Sequence, residues 1–130
     1  MEDAEIAPEN LDSLRAIALP VLVMAAGGRN PEMDVRLESR RLASHLPPAG
    51  TTYAEIPGAS HFSFMGECRP DAVAFLRRVE PGSEIQCLDG DLDGEGPPRR
   101  SRRELHAEIL ERIAGFLAAA GILGPAPGGP

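Results

Sequence analysis

Apolar and polar positions fall into blocks that read as alternating strands and helices. Leu19-Pro20-Val21-Leu22-Val23-Met24-Ala25-Ala26 is unbroken apolar sequence, opened by a proline and closed by Gly27-Gly28. Continuous hydrophobicity of that length suits a strand buried on both faces, as in parallel sheets covered by helices. After the loop Arg29 to Met33, Val35, Leu42 and Leu46 recur at helical spacing among Arg36, Glu38, Arg40 and Arg41, which predicts an amphipathic helix stopped by Pro47-Pro48. Thr51 to Ile56 is β-branched and aromatic and predicts a second strand ending at Pro57-Gly58. Strand, helix, strand is a right-handed crossover unit joining two parallel strands.

Further along, Ala72, Val73, Phe75, Leu76 and Val79 place a short helix within Arg69 to Val79. The stretch 89–100 is acidic and rich in glycine and proline, the composition of a mobile surface loop. Ser101 followed by Glu104 has the spacing of a capping box, and Leu105, Ile109, Ile113, Phe116 and Leu117 then line one helix face until Gly121. The chain thus divides into a lead (1–13), a body (14–123) and a tail (124–130) expected to be disordered. There is no internal repeat.

The expected fold class is α/β, with a partial sheet of two parallel strands, a crossover helix and C-terminal helices. Two strands and one crossover helix cannot cover both faces of a strand as apolar as Val21 to Met24. The pattern predicts further strands, supplied by an upstream segment or by a partner chain.

Composition narrows the function classes. The 130 residues carry a net charge of −7, which disfavours phosphate backbones and anionic lipid surfaces, so neither nucleic acid nor membrane is an expected partner. All 13 basic residues are arginine, a usage that reads as codon bias more than chemistry. The acidic start lacks the basic and apolar regions of a secretory signal, and Ile113 to Leu123 is about half the ~20 residues that cross a bilayer. The expectation is a soluble, untargeted, cytoplasmic protein. Cys68 and Cys87 have no Cys or His around them at zinc-site spacing, so no metal and no cofactor are expected.

The order of apolar strand, glycine loop, amphipathic helix, Leu46-Pro47-Pro48-Ala49 and strand is followed by Ile56-Pro57-Gly58-Ala59-Ser60-His61-Phe62-Ser63-Phe64-Met65. From about Leu14 to Leu123 this resembles the C-terminal third of the α/β-hydrolase fold, most of all the dienelactone-hydrolase-like branch of predicted serine hydrolases. The resemblance implies that His61, in the loop after the last strand, is the catalytic histidine. It also implies a cysteine pair, here Cys68 and Cys87, tying the segment after the histidine to the loop before the last helix. The family uses serine, acid and histidine in that chain order, the histidine accepting the serine proton and the acid fixing its tautomer. No Gly-x-Ser-x-Gly occurs in the chain, so the nucleophile and oxyanion loop are expected upstream, in an N-terminal hydrolase half, and the chain alone is expected to be inactive; an N-terminal hydrolase half or a homo-oligomer is the expected protein partner. The implied substrate is a small ester or acyl compound. Where the family commonly carries the acid, this chain has Gly28-Arg29-Asn30: Asn30 offers an amide carbonyl without charge, and Asp34, four residues on, offers a carboxylate.

Each of these residues also has a plainer role. His61 suits a turn histidine, and Phe62 and Phe64 suit packing under a loop as well as an acyl pocket. His45 and His106 read as helix-surface residues. A bridge between the cysteines would close a loop of about 19 residues and stabilise by roughly 3 kcal/mol, but a reduced pair is equally compatible with the sequence. Arg99, Arg100, Arg102 and Arg103 read as a solvated face balancing Asp89, Asp91, Asp93 and Glu95, with anion binding as the alternative. The competing function is a non-catalytic module that docks through its open sheet edge and apolar helix faces.

Overall fold

A computed structural model describes residues 6–28, 34–90, 100–122 and 124. Two parallel strands, β1 (Val21–Ala26) and β2 (Thr51–Ile56), pair in register from Val21 with Thr51 to Ala26 with Ile56. Of the helices α1 (Pro8–Arg15), α2 (Ser39–His45), α3 (Ala72–Val79) and α4 (Arg102–Ala119), α2 and α4 pack on the strands, α1 lies against α2, and α3 lies against Ser83–Cys87. This is a small α/β arrangement in which α2 is the crossover, as the sequence pattern requires.

Alternation along the strands divides the sheet between two helices. Met24, Ala26, Ala54 and Ile56 share the face on which α4 packs, and Ala26, Ile56, Ala59 and Leu105 form the core, with Met24 and Ile109 against it. On the opposite face, Tyr53 and Glu55 meet α2: Arg40 pairs with the Glu55 carboxylate, which also accepts the Tyr53 hydroxyl at 2.8 Å. Tyr53 ionisation is pushed up, first by burial and then by that carboxylate.

The second helix layer does not complete the burial of β1. Ala25 and Ala26 are buried, whereas Val21 to Met24 are only half-buried and Leu19 is 76% exposed. The expected strand covered on both faces is therefore, among the described residues, one of two edge strands.

Element ends follow local chemistry. The helix expected from Val35 starts at Ser39, because Asp34 holds the first turn: its carboxylate accepts the Arg36 amide at 2.9 Å, and its carbonyl accepts the Leu37 and Glu38 amides. The backbone then breaks at Glu38 (φ −109°, ψ −89°). Helix α1 occupies what reads as an N-terminal lead. It has a proline at its start, and its few apolar residues, Leu11 and Leu14 among them, give no strong periodic signal. In α4 the Ser101–Glu104 capping box forms in both directions. The helix closes with the Gly121 amide on Ala118 and the Ile122 amide on Leu117, Gly121 sitting at φ +74°. No helix among the described residues is long and apolar enough to cross a membrane. The readings of 91–99 as a loop and of 125–130 as a tail lie outside the described residues.

Candidate active site

Both parallel strands end at the same edge of the sheet, where ligands of open α/β sheets bind. There the chain leaving β1 passes so close to the end of β2 that only glycine fits. A Cβ on Gly27 would stand 2.7 Å from the Ile56 carbonyl oxygen, and one on Gly28 would stand 2.8 Å from that of Ala59. The close approach makes two hydrogen bonds, Gly27 amide to Ile56 (2.9 Å) and Gly28 amide to Ala59 (2.8 Å). Beyond β2, Gly58 at φ +76° reverses the chain. A 3-10 turn, His61–Phe64, follows directly.

His61 is exposed on this turn, edge-on to Phe62 with ring centroids 5.0 Å apart. Phe62 is half-buried and Phe64 is exposed, so the two aromatics do not both pack beneath the loop. The segment expected to carry the triad acid leaves β1 at Gly28, one hydrogen bond from Ala59 and hence two residues from His61 in the chain. Asn30 lies outside the described residues. Asp34 is described, and its carboxylate is engaged by the Arg36 guanidinium at 2.7 and 3.1 Å, not by His61. That hydrogen bonding, helped by the Arg36 amide, holds the Asp34 carboxyl down to about 2. Among the described residues no side chain is hydrogen-bonded to the His61 imidazole.

What fixes the turn lies beneath it. Ser60 and Ser63 are fully buried, and Arg102 is 8% exposed. The Ser63 hydroxyl donates to Asp89 at 2.5 Å and accepts the Ser60 amide at 2.7 Å; the Ser60 hydroxyl donates to the Leu88 carbonyl at 2.9 Å. Both hydroxyl protons are thereby used, so the 3.2 Å approach of the two oxygens is a contact without a proton between them. Asp89 is held by Arg102 Nε at 3.1 Å, and the remaining guanidinium nitrogens reach the carbonyls of Gly66 (3.2 Å), Gln86 (3.1 Å) and Leu88 (3.4 Å). His106 Nε2 is 2.8 Å from the Ser63 carbonyl. A carbonyl only accepts, so this nitrogen carries the proton.

Arg102 and Asp89 therefore are not the solvated charges that their surroundings in sequence suggest, and His106 is not a free surface histidine. The neighbouring arginines are also paired. Arg100 bonds Glu108 at 2.5 Å and the Pro57 carbonyl at 2.9 Å, and Arg103 bonds Glu67 at 3.1 Å. The Glu108 and Glu67 carboxyls are held low by those guanidiniums. Arg99 lies outside the described residues. Cys68 and Cys87 are joined as a disulfide, their Cα atoms 5.7 Å apart, which resolves the open pairing and links the segment after His61 to the segment leading to α4.

One signal in the sequence for this platform is that Ser60 and Ser63 have the same i, i+3 spacing as Ser101 and Glu104, and the Ser63 side chain accepts the Ser60 amide as Glu104 accepts that of Ser101. Asp89 and Arg102, 13 residues apart, carry no local signal. Among the described residues there is no cluster of His, Cys, Asp and Glu that would hold a metal ion. No known protein family, curated protein or solved structure matches this chain.

Proposed function

We propose that the chain is the C-terminal part of an α/β-hydrolase acting on a small ester or acyl substrate, with His61 as the general base. The observation that carries the reading is the placement of His61: an exposed imidazole on a turn immediately after β2, at the carboxyl edge of a parallel sheet, with the loop after β1 hydrogen-bonded alongside. In this reading another polypeptide segment adds strands beside β1 and brings the serine hydroxyl. The imidazole takes the hydroxyl proton as the oxygen attacks the acyl carbon, then returns it to the leaving group. The orienting partner comes from the segment after β1, where Asn30 offers a carbonyl and Asp34 a carboxylate that must first release Arg36.

The half-buried side chains of Val21 to Met24 support an added layer and fit equally a second reading, a non-catalytic module that docks by strand addition. Co-expression with the upstream coding segment, followed by a p-nitrophenyl ester assay, separates the two. The hydrolase reading expects cleavage that His61→Ala lowers by at least about a thousandfold. It fails when cleavage is absent or when His61→Ala leaves it unchanged. The docking reading expects self-association or binding of an apolar dye by the isolated chain, and a cleanly monomeric, dye-silent chain removes it.

A further inference from the structure

The four-residue turn bearing His61 is too short to hold itself, since 3-10 segments have poorer hydrogen-bond geometry than α-helix and seldom extend far. Here it is tied from outside at both ends. Ser60 is bonded to the Leu88 carbonyl; Ser63 is bonded through its hydroxyl to Asp89 and through its carbonyl to His106. Asp89 is in turn fixed by Arg102, whose guanidinium also gathers the carbonyls of Gly66, Gln86 and Leu88. Asp89 is only 10% exposed. A charge pair so deeply placed adds little net stability over an apolar pair of the same volume, because desolvation offsets most of the attraction. What this pair supplies is position: the Ser63 hydroxyl and Arg102 Nε both donate to the one oxygen Oδ1 of Asp89, which ties the turn to a fixed point. Of the turn's four residues, His61 alone has an exposed polar side chain.

We propose that Asp89, locked by Arg102, is a positioning residue for His61: acting through the Ser63 hydroxyl, it holds the turn in one geometry so that the imidazole meets its substrate without reorganisation. This rests on the reading of His61 as a base. Catalytic groups have to be held to about half an ångström by the shell behind them. Asp89 and Ser63 supply that shell from below, and Arg102 keeps the carboxylate from rotating away.

The test is the paired replacement Asp89→Leu with Arg102→Met, which removes both charges and keeps the volume. In the full chain, a cooperative thermal transition is expected to persist while the backbone amide order parameter of His61 falls from about 0.85 to below about 0.6, with α4 unchanged. A folded double variant whose His61 amide is as rigid as wild type overturns the proposal. If the double variant does not fold, Ser63→Ala is read the same way: loosening of His61 in a folded chain supports the proposal, and an unaltered order parameter overturns it. In the co-expressed assembly, the double variant is expected to lose ten- to a hundredfold in kcat with KM unchanged. Absence of ester cleavage in the wild-type assembly would count against the hydrolase reading alone, since the order parameter is measured without any substrate.

Discussion

The Ser63 hydroxyl and the Asp89 carboxylate, 26 residues apart in the chain, meet at 2.5 Å, the serine fully buried and the Asp89 side chain only 10% exposed. The contact closes the turn after β2 against the segment that leads into α4, and Arg102 completes it. Much of the layer beneath His61 hangs on this single carboxylate.

Removing one member of the pair is therefore expected to be far more damaging than removing both. Arg102→Ala leaves Asp89 buried and charged without its partner and is expected to destabilise by about 3–5 kcal/mol, while the apolar double replacement, which strands the Ser63 hydroxyl and the carbonyls of Gly66, Gln86 and Leu88 but no charge, is expected to cost less. Urea denaturation of the two variants at neutral pH measures both values. Equal losses in the two would show that the charge pair carries stability in its own right.

Because Cys68 and Cys87 are bridged across 19 residues of sequence, reduction is expected to cost roughly 3 kcal/mol, most of it through a freer unfolded chain. Thermal melts with and without dithiothreitol measure this, and Cys68→Ser should reproduce the reduced value and become insensitive to the reductant. The stabilisation operates only where thiols stay oxidised.

The Asp34 carboxyl, held down to about 2 chiefly by its hydrogen bonds with Arg36, sits below its ordinary 3.8. A depressed folded value means that the bonded turn is fully formed above the ordinary carboxyl range and is lost as pH falls toward 2. Carboxyl-detected NMR is expected to give an Asp34 midpoint near 2 in wild type, rising part of the way toward 3.8 in Arg36→Gln, which keeps the backbone amide bond. A wild-type midpoint at the ordinary value would show that the pair does not persist in solution.

Gly27→Ala puts a methyl group against backbone that has no room to yield, 2.7 Å from the Ile56 carbonyl oxygen. We expect a loss of about 1–3 kcal/mol, accompanied by faster exchange of the Gly28 amide as the strand ends separate. Gly66→Ala is the control, since nothing lies within 4 Å of its added carbon.

Periodicity carried the strand pair, the crossover and α4 because each depends on residues close in sequence: the apolar run from Val21, the β-branched Thr51 and Thr52, and the Ser101–Glu104 cap. It failed where distant partners decide. Helix α2 began late because Asp34 captured the backbone ahead of it. The composition of 89–100 suggested a loop, yet its first residue is among the least exposed carboxylates, since the arginine that neutralises it lies across the turn into α4. For the candidate site, the motif around His61 placed the imidazole at the sheet edge, but nothing in it names the side chains that grip the turn from below. Their pairing is a property of the folded chain.

The 5.7 Å between the Cα atoms of Cys68 and Cys87 is a span that two residues of extended backbone can cross. The chain therefore departs and comes back at one point, and α3 packs mainly on Ser83–Cys87, within the same excursion. Such an excursion is modular only at its far end: α3 can be shortened or enlarged, which makes it the natural place to graft a reporter, whereas Ser83–Cys87 also packs on the turn bearing His61, and Gln86 is bonded by Arg102.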